Sequence, residues 1–139
     1  MARLAGYFAG ILLVDVPESE VDRLVERYGR PAFVIGMDGE LGKGSGRSVR
    51  GVDLGAAVIA ARQAGLLVNG GGHAMAAGIS VHEDKIDSFR AAFQVAARDA
   101  LSKEAMTALL ELDAEVKLRD LSLSFFESYK LLEPFGQKN

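Results

Sequence analysis

The sequence predicts a small α/β domain in which a mixed sheet is flanked by helices, followed by a C-terminal strand-helix extension. Three observations carry that expectation. Stretches with apolar residues at helical spacing alternate with short β-branched or aromatic runs, in the order α, β, β, α, β, α and then β, α. The length of 139 residues, with 49% hydrophobic and 25% charged, suits one compact domain with an appended element. Twelve of the 16 glycines fall between Gly36 and Gly78. Glycine costs backbone entropy wherever it sits, so such a cluster marks tight turns or a backbone that something must approach closely.

The apolar opening, residues 4–16, fits a buried strand or a short helix, and its periodicity does not choose between them. Pro17 suits a first helical position, and Val21, Leu24, Val25 and Tyr28 recur at helical spacing before Gly29 and Arg30-Pro31 end the pattern. Residues 32–37 read as a strand, Asp38-Gly39 as a turn, and residues 45–49 as a strand pairing back across a glycine-rich turn. Asp53 is placed to cap a helix with inner face Leu54, Ala57, Val58 and Ala61, and Gly65 follows its end.

The triple glycine Gly70-Gly71-Gly72 and His73 read as a loop, after which Ile79–Val81 is strand-like. A helix over 83–102 presents Ile86, Phe89, Phe93, Ala96, Ala97, Ala100 and Leu101 on one face, with Ser80 and Glu83 at capping-box spacing. Residues 108–118 alternate as a strand, and 121–132 form a last amphipathic helix stopped by Pro134. The composition shift at 103–107 divides the chain into residues 1–103 and 104–139.

Composition excludes several classes. Without cysteine there is no disulfide framework, thiolate zinc site or Cys nucleophile. No apolar run of about 18 residues is present and residues 1–16 have no signal-peptide pattern, so we expect a cytoplasmic protein with no membrane partner. A net charge of −3 argues against non-specific coating of nucleic acid, although residues 36–78 alone are net +1.

Gly42-Lys43 is followed by Gly44 rather than by the Ser or Thr of a phosphate-binding loop. Val49 stands where a dinucleotide fingerprint needs its third glycine, and Lys43 and Arg47 stand where a nucleophile elbow around Ser45 needs glycines. Ser45 and Arg47 alternate, so in an extended segment they share a face. A hydroxyl beside a guanidinium fork suits an anion, and a polar hairpin edge with a solvated Arg suits the same spacing. His73 fits either a hydrogen-bonded core histidine in a tight turn or the one polar group presented by a glycine loop. His73 and His82 have no third ligand at a recognisable spacing, so no metal site is expected in this chain. Turn and cap roles account for Asp38 and Asp53, and spacing gives Glu40 no chemistry.

The segments GKGSGRSV at 42–49, VDLGAAVIAARQAGLLVNGGGHAMAAGISV at 52–81 and ERYGRPAFVI at 26–35 together resemble the DHH-associated domain of the RecJ family of single-stranded-DNA-specific exonucleases. The likeness covers about residues 20–104. LLEPFGQKN at 131–139 is similar to the start of the oligonucleotide-binding region that follows in that family, apart from Lys138, where the family has glycine. The GGGH segment alone is shared across the DHH phosphoesterase superfamily.

The resemblance implies one half of a two-half enzyme of DNA repair and recombination, degrading strands from the 5′ end. A DHH domain holds manganese, and the associated half binds single-stranded DNA across the cleft. It implies that Ser45 and Arg47 hold the 5′ phosphate, and that His73 faces the scissile phosphate as a catalytic residue supported by Gly71 and Gly72. The sequence has no DHH triplet or acid cluster, and residues 1–16 depart from the family. The expectation is therefore a substrate-binding module, inactive alone, that needs a separate manganese-bearing DHH domain. The alternatives are a module of a related phosphodiesterase acting on nano-RNA or cyclic dinucleotides, and a degenerate structural module.

Overall fold

The computed structural model describes residues 9–101, 110, 112 and 114–133. The chain divides into two compact units, residues 1–108 and 109–139. In the first, a five-stranded mixed sheet is built from β1 (Ile11–Val14), β2 (Ala32–Asp38), β3 (Leu41–Arg47), β4 (Asn69–His73) and β5 (Ala76–His82), in the order β1-β2-β3-β5-β4. Only β1 and β2 pair in parallel, and α1 (Glu20–Tyr28) makes the crossover that a parallel pair requires. The helices α2 (Leu54–Gln63) and α3 (Ile86–Ala100) follow β3 and β5.

The opening segment is thus a strand at Ile11–Val14. Helix α1 begins at Glu20, three residues past Pro17, whose carbonyl accepts from the Glu20 amide at 3.0 Å. Gly29 ends it in the left-handed region at φ 60°. Its buried Val21 and half-buried Leu24 and Val25 pack on Ala32 and Val34.

The opposite face of the sheet carries the main core, in which Phe33, Ile35, Ile79 and Val81 meet Leu54 and Val58 of α2 and Ile86, Phe89 and Phe93 of α3. Phe33 meets Phe89 and Phe93 edge to face, with ring centroids 5.4 and 5.1 Å apart, a geometry favoured by the aromatic quadrupole.

The expected glycine-rich turn is instead the central strand. In β3, Gly42, Gly44 and Gly46 all point into this core, and a Cβ on Gly46 would stand 2.7 Å from Phe33 Cζ and 2.8 Å from Leu54 Cδ2. Missing side chains on β3 let the large ones of β2 and β5 lie across it. The turn itself is confined to Gly39-Glu40.

Asp53 caps α2 as expected, its Oδ1 accepting from the Ala56 amide at 2.9 Å, and Gly65 follows with φ 75°. The anticipated capping box at Ser80 and Glu83 does not form. Ser80 belongs to β5, a short 3₁₀ turn spans Glu83–Lys85, and the Glu83 amide donates to Glu40 O at 2.9 Å. Sheet pairing claims Ser80 before it can serve a helix.

Of the strand expected at 108–118, residues 108, 109, 111 and 113 lie outside the described residues, and the described ones in the second unit are not in a strand. Helix α4 (Leu123–Lys130) of that unit is present, with Ser122 Oγ accepting from the Phe125 amide at 3.1 Å. Among the described residues no helix is long and apolar enough to cross a membrane.

Candidate nucleic-acid interface

Residues directly opposite in antiparallel strands project to the same face of a sheet. The register of β2, β3, β5 and β4 therefore writes two rows on the face away from the main core. One reads Ala32, Arg47, Ala76, His73, and the next Val34, Ser45, Gly78, Gly71. Helix α1 covers the Ala32 and Val34 end. Beyond it the face is open, and Gly71, His73 and Gly78 are exposed.

Arg47 and His73 thus lie in one row two strands apart, roughly 10 Å between backbones at the usual strand spacing. Local bonds fix this end of the sheet. The Ser48 amide donates to Met75 O at 2.9 Å and the Leu54 amide to Ala74 O at 3.0 Å, tying the end of β3 and the start of α2 to the β4-β5 turn. Ser48 is buried, and its Oγ donates to Val52 O at 2.6 Å. His73 is not a core histidine: its Nδ1 accepts from the Met75 amide at 3.3 Å, leaving Nε2 as the nitrogen that can meet a ligand.

The three glycines before His73 are a strand and not a loop, and the pleat separates their roles. A Cβ on Gly72 would lie 2.8 Å from Ala77 Cβ, so its absence serves the close pairing of β4 with β5. A Cβ on Gly70 would meet Val58 Cγ1 at 2.7 Å. Gly71 has nothing within 4 Å of where its Cβ would be, and Gly78 only Gly44 O at 3.9 Å. The fold does not require glycine at those two positions; their effect is to leave the open face flat. Gly72, on the other side of the strand, does not belong to that face.

Two carboxylates also reach the site. Ser45 Oγ donates to Glu18 Oε1 at 2.6 Å, and Arg47 Nε lies 3.3 Å from Asp22 Oδ1 while its Nη1 donates to Gly46 O at 3.0 Å. These acids precede the glycine segments by twenty residues or more, and no local pattern in the sequence announces them. Among the described residues no group of three or more His, Asp or Glu is placed to hold a metal ion.

A mixed sheet with helices on both faces and an open, glycine-floored strand face is the architecture of a DHH-associated type of domain. The chain belongs to the DHHA1 domain family, whose model matches residues 16–99. It is 34% identical over 119 residues to the single-stranded-DNA-specific exonuclease RecJ of Bacillus subtilis (strain 168), covering 84% of this chain and 15% of that protein. It is 38% identical over 119 residues to RecJ of Dickeya dadantii (strain 3937), covering 83% of this chain and 20% of that protein. The crystal structure of RecJ in complex with Mn2+ from Thermus thermophilus superposes with a TM-score of 0.71 at 28% identity, over 92% of this chain and 19% of that one. The chain thus spans a fifth or less of the length of these relatives.

Proposed function

We propose that this chain is the substrate-binding half of a RecJ-type exonuclease that degrades single-stranded DNA in the 5′-to-3′ direction, working in the cytoplasm opposite a DHH domain that carries manganese. Placement of Arg47 and His73 in one cross-strand row, beside Ser45 and the bare Gly78-Gly71 floor, carries this reading. A guanidinium gives parallel hydrogen bonds to a terminal phosphate dianion, and the serine hydroxyl adds a neutral donor. His73 Nε2 stands at the opposite edge of the row, where it meets the phosphodiester presented to the metal-bearing half. Manganese held by that other half would supply water activation and charge neutralisation. Binding requires Ser45 to turn its proton from Glu18 to the phosphate. That exposed contact is worth about 1 kcal/mol or less, so the exchange is cheap. The relatives named above are RecJ enzymes, and neither a nano-RNA or cyclic-dinucleotide phosphodiesterase nor a purely structural module gains support from them.

The test supplies the full chain with the DHH half of a RecJ relative and compares 5′-phosphorylated with 5′-hydroxyl single strands. Arg47→Ala is expected to weaken the phosphorylated strand by roughly tenfold to a hundredfold, from about 1.5–3 kcal/mol per charge-assisted contact, and the hydroxyl strand far less. Ser45→Ala acts in the same direction with a smaller loss. Equal losses for the two strands would remove the 5′-phosphate role.

A further inference from the structure

The open face carries a third row that neither the glycine motifs nor His73 accounts for. The same register aligns Gly36, Lys43, Ser80 and Asn69 across four strands. Lys43 is exposed, and no ion pair or hydrogen bond links its ammonium to another described residue. Asn69 Oδ1 accepts from the Gly70 amide at 2.9 Å, which fixes the carboxamide, and its Nδ2 donates to no other side chain or carbonyl among the described residues. Ser80 is half-buried between them, and its hydroxyl is the third donor. This row contains no carboxylate. The acids nearest the Arg47 end, Glu18 and Asp22, are engaged with Ser45 and Arg47. Asp38 lies on the same face two residues beyond Gly36, and it makes no ion pair with Lys43.

We propose that Lys43, Ser80 and Asn69 form a second phosphate subsite, which receives a phosphodiester of the DNA strand inward of its 5′ end. The proposal rests on the reading of Ser45 and Arg47 as the receptor of the terminal phosphate. Lys43 and Arg47 are four residues apart on one strand, about 13 Å along β3, and both project to the open face. The row between them holds Ser45, Gly78 and Gly71, so the sugars and bases crossing from one cationic row to the other meet a floor with almost no side chains.

The two ends also differ in chemistry as a terminal and an internal phosphate do. A terminal phosphate is a dianion suited to the fork of Arg47. An internal phosphodiester is a monoanion, suited to a point charge with two neutral donors that carry no sequence preference. The 5′ end therefore lies at the Arg47 end of β3 and the strand runs toward Lys43.

The full chain is titrated by NMR, where weak affinities remain readable, with thymidine 5′-monophosphate and with short oligothymidylates bearing a 5′ phosphate or a 5′ hydroxyl. Lys43→Ala is expected to leave the monophosphate affinity unchanged and to weaken both oligonucleotides alike by severalfold. It also lowers the salt slope by about 0.7, the value for one phosphate contact on a single strand. Lys43→Arg retains binding, and Asn69→Ala gives a smaller loss of the same kind. An oligonucleotide affinity unchanged in Lys43→Ala, with the selective loss in Arg47→Ala intact, overturns the second subsite and leaves the terminal-phosphate reading standing. A loss of monophosphate binding in Lys43→Ala overturns it as well, by placing Lys43 at the terminal phosphate. Arg47→Ala that weakens all three ligands alike overturns the reading on which it rests.

Discussion

Asp22 Oδ1 stands 3.3 Å from Arg47 Nε, bringing a carboxylate of α1 onto the cation proposed above to receive the terminal phosphate. Both side chains are more than a third exposed, at 37% for Arg47 and 64% for Asp22, so the pair aims the guanidinium without locking it. Asp22→Asn is expected to change stability by less than about 0.5 kcal/mol and to tighten binding of a 5′-phosphorylated strand by roughly twofold to fivefold, the gain shrinking as salt rises. Glu18→Gln should act in the same direction through Ser45. Weaker binding in Asp22→Asn would show instead that the carboxylate is needed to hold Arg47 in position.

The pleat of β4 separates two neighbouring glycines. Gly71→Val should leave the melting temperature nearly unchanged, since its Cβ enters open space and valine suits a strand, yet weaken single-strand binding by filling the flat face. Gly72→Val should destabilise the fold by about 1–3 kcal/mol, because the added carbons press into Ala77 across the ladder. Thermal melts with a binding titration check both, and a reversed pattern would place the open face on the wrong side of the sheet.

The core side of β3 gives a purely structural prediction. Gly46→Ala is expected to cost about 1–3 kcal/mol, because its methyl group meets Phe33 and Leu54, both fully buried. Phe33→Ala should cost about 3–5 kcal/mol by removing the ring shared by Phe89 and Phe93. Denaturant unfolding measures each, and Gly46→Ala stability equal to that of the parent chain would contradict the packing described.

Incubated with manganese and labelled single strands, the chain by itself is expected to show no hydrolysis, because such hydrolysis needs metal ions and the proposed reading places their ligands in the separate DHH half. Adding the DHH half of a RecJ relative should restore turnover, and His73→Ala should then lower turnover far more than binding. Metal-dependent hydrolysis by the purified chain alone would refute a purely substrate-binding role.

Local chemistry made much of the fold legible. The spacing of Val21, Leu24 and Val25, the cap at Asp53, the stop at Gly65 and the run Ile86, Phe89, Phe93, Ala97 each signal a helix through neighbours a few residues away, and each helix is there. The motif around Ser45, Arg47 and His73 was legible as a resemblance. Elements that depend on distant partners were not. Ser80 and Glu83 had capping-box spacing, but β3 had already paired with Ser80.

The sequence by itself determined the helices and the mixed α/β class, because periodicity and caps are local. Only the tertiary structure decided that the glycines of 42–46 and 70–72 lie in strands and that Gly71 and Gly72 face opposite ways. It alone set Arg47 and His73 in one row, and brought Glu18 and Asp22 onto Ser45 and Arg47. The physical reason is strand register: one residue of slip turns every side chain to the other face, and register is set by pairing across the sheet rather than by neighbours along the chain.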